Sequence, residues 1–267
     1  MFGVLLITAL AQEPTTFDER HPLGSLDEMV KRFRWSADAI RKKDPDPESR
    51  MSDESFRVLL PADHDPKKTY GLLVWVSPGP GGHVSHGWKD ALAKRSIIAV
   101  GADNSGNDRD VWHRVALALH AVHNMSKRHS IDPKRTYVAG FSGGGRIASR
   151  CALAYPDVFA GGIYMGGMDF YKDIRFPDDP KRVWPAMLPP PKDDLLRKVK
   201  KESRHAIVVG DQDFNRAPSK AMADAMKKTE GFANVAYLEM PGTGHAPADA
   251  ATLEKALDVL DAPPAKK

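Results

Sequence analysis

The stretch that decides the fold is Tyr137-Val-Ala-Gly-Phe-Ser-Gly-Gly-Gly-Arg146. Thr136, Tyr137 and Val138 belong to a β-branched and aromatic run that reads as a strand. Arg146 and the residues after it, "RIASRCALAYP", read as an amphipathic helix. Between them, Gly140-Phe141-Ser142-Gly143-Gly144 fits G-x-S-x-G at a strand-to-helix turn, the context this motif requires. The reason is steric. A serine held on so sharp a turn leaves no room for bulk two residues before or after it. The helix that follows points its free amides and dipole at the serine.

The flanking sequence repeats the same alternation. "SFRVLLPA", "YGLLVWVS", "SIIAVGAD", "RTYVAGF", "FAGGIYMGG", "HAIVVGD" and "NVAYLEMPG" read as strands. "HGWKDALAKR", "RDVWHRVALALHAVHNMSKRH", "GGRIASRCALAYP", "PSKAMADAMKKTEG" and "DAATLEKALDVLD" read as helices. In the second of these, Val111, Val115, Leu119 and Val122 form one apolar face. Strands alternating with helices imply an α/β fold with a mostly parallel sheet and helices on both faces. Continuous apolar strands such as "LLVWV" and "AIVVG" fit burial on both sides.

Three segments stand outside this rhythm. Residues 1–11 hold a short apolar run ending in Ala9-Leu10-Ala11, a small-x-small pattern that reads as an export signal, preferred over a cytoplasmic tail although it lacks a basic start. The signal reading implies a secreted or periplasmic protein. Residues 12–54 are polar and form a lead-in with one helix around Leu26–Lys42. Residues 55–262 form the α/β domain. Within it, Tyr171–Arg204 carries six prolines and is too long for a simple connection, so it reads as a surface excursion or as a small cap beside a site.

Composition excludes several classes. The 267 residues are 42% hydrophobic and 28% charged, ordinary for one globular domain. The formal net charge of +4 is dispersed, and the one basic run, Arg197–Lys201, reads as a solvated helix face rather than a nucleic-acid surface. No run is long enough to span a membrane. The single cysteine, Cys151, excludes an intrachain disulfide and reads as a buried thiol. His83 and His86 in "HVSH" and His120 and His123 in "HAVH" have metal-compatible spacing but no accompanying ligands. The first pair reads as pocket mouth or solvent-facing and the second as helix surface. Nucleotide-binding G-x-G-x-x-G spacing is absent.

A serine hydroxyl is a weak nucleophile at neutral pH. It needs an imidazole to take its proton and a carboxylate to orient that imidazole. In chain order Ser, Asp, His, the candidates are Ser142, then Asp213 in "AIVVGDQDFNR", then His245 in "YLEMPGTGHAPAD". Asp211 is the second candidate for the acid and Asp169 in "GGMDF" the third. Gly143 N–H is one donor for an oxyanion, and the second should come from "VWVSPGPGGHVSHGW", the loop after an earlier strand. Phe141, Trp88 and Phe214, with Trp184, are candidates for an aromatic wall around a substrate. In the loop "GADNSGNDRDVW", Asn104 and Trp112 are candidates for substrate contact, while a turn with Asn107 or Asp108 as a helix cap is the plainer expectation.

With "GFSGGG", "GDQDFN" and "GTGH" in this order, the chain resembles the α/β-hydrolase superfamily over about residues 55–261. Within it the chain is similar to polyhydroxybutyrate-depolymerase-like and feruloyl-esterase-like serine esterases. The resemblance implies cleavage of a small-molecule or polymeric carboxylic ester through an acyl-enzyme on Ser142, with no metal or organic cofactor. Members often carry His-Gly in the loop after the earlier strand, where this chain has Ser77-Pro-Gly-Pro-Gly-Gly82. Pro80 has no N–H to give; Gly79, Gly81 and Gly82 can each serve as the second donor, with Gly79 or Gly81 preferred. Two other readings share these residues: a prolyl-oligopeptidase-type peptidase, and a non-catalytic binding protein on a hydrolase scaffold.

Overall fold

The computed structural model describes residues 12–48, 50–176, 179 and 181–262. The expected export signal at residues 1–11 lies outside them, as do Pro177 and Pro180 of the excursion. The strands, in chain order, are β1 (Pro14–Thr15), β2 (Phe56–Leu59), β3 (Tyr70–Val76), β4 (Ile97–Ala102), β5 (Ile131–Phe141), β6 (Gly161–Met165), β7 (Ile174–Arg175), β8 (Val183–Trp184), β9 (Arg204–Gly210) and β10 (Asn234–Met240). The α-helices are α1 (Leu26–Phe33), α2 (Ala37–Lys43), α3 (Lys89–Lys94), α4 (Val111–Arg128), α5 (Gly143–Ala154), α6 (Asp193–Lys201), α7 (Arg216–Asp224) and α8 (Ala250–Asp261).

Eight strands form one sheet in the order β1-β2-β4-β3-β5-β6-β9-β10. The six from β4 to β10 run parallel, and β2 joins β4 antiparallel, as β1 joins β2. The period of two along β3 explains its unbroken apolar run. Leu72, Val74 and Val76 enter one core with α4, α5 and α7, while Leu73 and Trp75 enter the other with α3 and α8. Because the strands are parallel, the turns after β3, β4, β5, β6, β9 and β10 all emerge at one edge of the sheet, and the candidate residues sit there.

The lead-in departs from the single expected helix. Arg34 adopts a left-handed conformation (φ 53°) at the end of α1, and Ser36 starts α2 by accepting the Ala39 N–H. The two helices pack into the core that α4 faces, through Leu26, Met29, Phe33 and Ile40. Burial of α4 therefore extends beyond its expected apolar stripe to Trp112, Leu117, Ala121 and Met125. This corrects the surface expectation for His120. Its ring packs under Gly24, its Nδ1 accepts the His21 N–H at 3.0 Å, and burial lowers its pKa to about 3. His123 stays partly exposed, 3.2 Å from Glu19. Cys151 is fully buried, and burial raises its thiol pKa to about 12.

The proline-rich excursion contains the β7–β8 hairpin and α6. The Arg197–Lys201 run lies on α6, whose Val199 is buried. The excursion touches α5, the helix after Ser142: the Arg146 guanidinium lies over the Trp184 ring, 4.4 Å from its centroid. No helix among the described residues is long and apolar enough to cross a membrane.

Candidate active site

Ser142 sits between β5 and α5 at φ 54°, ψ −120°, a region that a side chain enters only under compulsion. The compulsion comes from its neighbours. The Ser142 N–H donates to Met165 O at 2.8 Å, and the Ser142 carbonyl accepts the Arg146 N–H at 3.2 Å. A Cβ on Gly140 would overlap the Gly144 carbonyl. One on Gly144 would overlap the Val76 carbonyl, and one on Gly145 the Gly167 carbonyl. The glycines around the serine let β3, β5 and α5 approach one another, and that approach fixes the strained turn.

His245 is reached through the loop after β10. Its Nε2 lies 2.9 Å from Ser142 Oγ and its Nδ1 lies 2.8 Å from Asp213 Oδ2. The Asp213 side chain is inaccessible to solvent, and its Oδ1 accepts the Asn215 N–H at 2.8 Å. The Asn215 amide donates in turn to the Gly166 carbonyl at 2.8 Å, tying the acid loop to the turn after β6. With Nδ1 facing a carboxylate, the imidazole carries its proton on Nδ1 and presents Nε2 as an acceptor to the serine hydroxyl.

The other acid candidates are committed elsewhere. Asp211 accepts the Thr243 N–H at 3.2 Å and braces the histidine loop. Asp169 is fully buried against Arg150, 2.6 Å away, and Arg146.

Phe141 and Phe214 both flank His245, with ring centroids 4.7 and 4.6 Å from the imidazole. Phe214 is 75% exposed, a large apolar face held at the site. Trp88 has to be withdrawn from the expected aromatic wall. It is 1% exposed, packs edge-to-face on Trp75 and donates its Nε1–H to Ala248 O at 2.8 Å, so it belongs to the core shared by α3 and α8. Trp112 likewise turns inward and donates to Asp44. His83 and His86 are solvent-exposed.

The two preferred candidates for the second donor differ in what surrounds them. Gly79 N–H donates to Ser77 Oγ at 3.1 Å, within its own turn. Gly81 N–H has no acceptor among the described residues, but the next residue, Gly82, is tied to Asp103 at 2.8 Å and packs on Gly101 at the end of β4. This limb of the loop thus leans towards β4, while the serine stands on β5, on the other side of β3.

The loop after β4 is stitched to the same segment: Asn104 N–H donates to Pro80 O, and Asn107 N–H to Pro78 O at 2.9 Å. Asn107 is not the cap of α4. That position belongs to Asp110, which pairs with Lys43. The Asn107 side chain instead lies against Gly143. A Cβ there would overlap Asn107 Oδ1 and sit 2.7 Å from Cγ and 2.9 Å from Nδ2.

Arg114 completes the support. It is buried and donates to Ser105 O at 2.8 Å and Ser77 O at 3.1 Å, holding both loops from beneath, while burial lowers its pKa to about 10. Arg114, Asn215 and the placement of Asn107 were not assigned from the sequence. An arginine directly before Val115, in the apolar stripe of α4, is the one signal that could have pointed to Arg114. Among the described residues, no group of three or more His, Cys, Asp or Glu side chains is arranged to hold a metal ion.

No family model matches the sequence. One stretch of 112 residues is 50% identical to poly(3-hydroxyalkanoate) depolymerase C from Paucimonas lemoignei. It covers 42% of this chain and only 20% of the depolymerase. Among solved structures, Est1E from Butyrivibrio proteoclasticus matches with a TM-score of 0.51 at 17% identity, covering 76% of this chain and 91% of its own. The feruloyl esterase module from Clostridium thermocellum, complexed with sinapinate, matches with a TM-score of 0.52 at 16% identity, covering 77% and 81%. Strand order, the turn at Ser142 and these likenesses agree that the chain has the α/β-hydrolase fold.

Proposed function

We propose that the protein is a serine hydrolase that cleaves carboxylic esters through an acyl-enzyme on Ser142. The observation that carries the reading is the continuous relay from Ser142 Oγ through both nitrogens of His245 to Asp213 Oδ2, at 2.9 and 2.8 Å. His245 Nε2 takes the hydroxyl proton as Oγ bonds to the ester carbonyl carbon. The carbonyl π pair moves onto oxygen, facing the Gly143 N–H at the start of α5. Collapse restores the carbonyl, breaks the bond to the alcohol oxygen and passes the proton from His245 to that oxygen. Water, deprotonated by the same nitrogen, then releases the acid. Asp213 stabilises the imidazolium in both halves and keeps its own charge.

Phe141 and Phe214 give the site an apolar border, which suits a hydrophobic acyl or aryl group. The names of the similar proteins, a polyester depolymerase and a feruloyl esterase, agree with a polymeric or aromatic ester. The reading includes export from the cytoplasm, supported by Ala9-Leu10-Ala11 alone.

The test is hydrolysis of p-nitrophenyl butyrate by the wild type beside Ser142→Ala. Loss of the nucleophile should lower kcat by at least about 10⁴-fold, as in other serine hydrolases. A wild type that neither turns over this ester nor reacts at Ser142 with a phosphonate ends the reading.

A further inference from the structure

We propose that the side-chain amide of Asn107 is the second donor of the oxyanion hole, in place of a main-chain N–H from the loop after β3. The inference rests on the reading of Ser142 as nucleophile and deepens it.

The loop after β3 is poor in usable donors. Pro78 and Pro80 have no N–H, and Gly79 N–H is turned onto Ser77 Oγ. Gly81 adjoins Gly82, which is anchored by Asp103 over the end of β4. Strands lie about 4.8 Å apart, so a group seated over β4 is two spacings, roughly 10 Å, from one seated over β5. Gly81 is thereby drawn towards β4 and away from the serine on β5.

Asn107 bridges this gap. Its own N–H holds the Pro78 carbonyl at 2.9 Å, which fixes the loop after β4 against the loop after β3. Its side chain reaches over to Gly143, the residue whose N–H is the first donor: Oδ1 is the atom nearest to where a Cβ on Gly143 would stand, and Nδ2 lies 2.9 Å from that point. Glycine at 143 is what allows that approach. The Asn107 amide is exposed and makes no hydrogen bond among the described residues, so its N–H groups are free for a ligand. A half-turn of the amide exchanges Nδ2 and Oδ1 without changing its shape, and a developing negative charge selects the turn that presents Nδ2.

In the reaction, the carbonyl oxygen accepts hydrogen bonds from Gly143 N–H and Asn107 Nδ2–H as Ser142 Oγ bonds to carbon. Both bonds are retained until the carbonyl re-forms. The charge exists only near the transition state, so the Asn107 bond should raise kcat more than it tightens substrate binding.

The experiment compares wild type, Asn107→Ala and Asn107→Asp on p-nitrophenyl butyrate, with thermal melting of each protein. Neither substitution removes the main-chain bond to Pro78, and Asp keeps the side-chain shape without the N–H donors. The expected result is a fall in kcat of about 10²–10³-fold in both variants, the cost of one lost oxyanion donor, with KM changed less than about threefold. Wild-type kcat in Asn107→Asp overturns the inference, even if Asn107→Ala is inactive through misfolding. A change in KM alone also overturns it. A wild type inert to both ester and phosphonate removes the Ser142 reading and this inference together.

Discussion

The candidate active site is assembled from a strand-to-helix turn and a loop that use glycine for opposite purposes. In the serine loop, Gly140, Gly144 and Gly145 are packed so closely that a methyl group on any of them would overlap a main-chain carbonyl. In the histidine loop, Gly242 and Gly244 have nothing within 4 Å of a Cβ, although the main chain of Thr243 and Gly244 covers Gly210 at the end of β9. Gly242 is required only by its φ of 64°. One loop needs glycine for contact, the other for conformation. Ser142 is therefore held by three neighbouring carbonyls, while His245 is held by its hydrogen bond to Asp213 and by the rings of Phe141 and Phe214.

Gly144→Ala attacks this contrast hardest. The new methyl overlaps the Val76 carbonyl, so β3 and α5 must separate, at an overpacking cost of about 1–3 kcal/mol. Displacement of Ser142 relative to His245 should lower kcat by about 10²-fold, measured on the same p-nitrophenyl ester. Wild-type activity would mean that the serine loop is not set by contact. Gly242→Ala should be milder. Holding alanine at positive φ costs roughly 1–2 kcal/mol, read as a fall of a few degrees in melting temperature with most activity kept. Gly244→Ala should have the smallest effect, with stability within about 0.5 kcal/mol of wild type and activity within about twofold. A large loss at Gly244 would show that the histidine loop, too, is sterically determined.

The sequence made the frame legible because it depends on local signals. Alternating apolar segments gave the sheet and its helices, and Ser142, Asp213 and His245 each follow a strand at the same edge. What it did not give depends on long-range packing. Trp88 is an aromatic residue suited to a wall, but it is buried in the core with α3 and α8 residues and bonds Ala248 O. His120 lies on what reads as the polar face of α4, yet the turn at His21–Gly24 before α1 covers that face, since a helix pattern says nothing about a second layer. Asn107 follows a turn signal that normally announces a cap. Only the pairing of its N–H with Pro78, 29 positions earlier in the chain, turns its side chain towards Gly143.

The span between Ser142 and His245 has a consequence for how activity is acquired. The two are 103 positions apart, and their strands, β5 and β10, are separated in the sheet by β6 and β9. Parallel pairings of this kind require long crossovers, and such non-local contacts are slow to form. A nascent or refolding chain can complete the Ser142 turn on β3, β5 and β6 while β10 is still undocked, and at that stage the hydroxyl has no imidazole beside it. Regain of turnover thus reports the last strand joining the sheet, whereas recovery of helical signal reports the earlier steps.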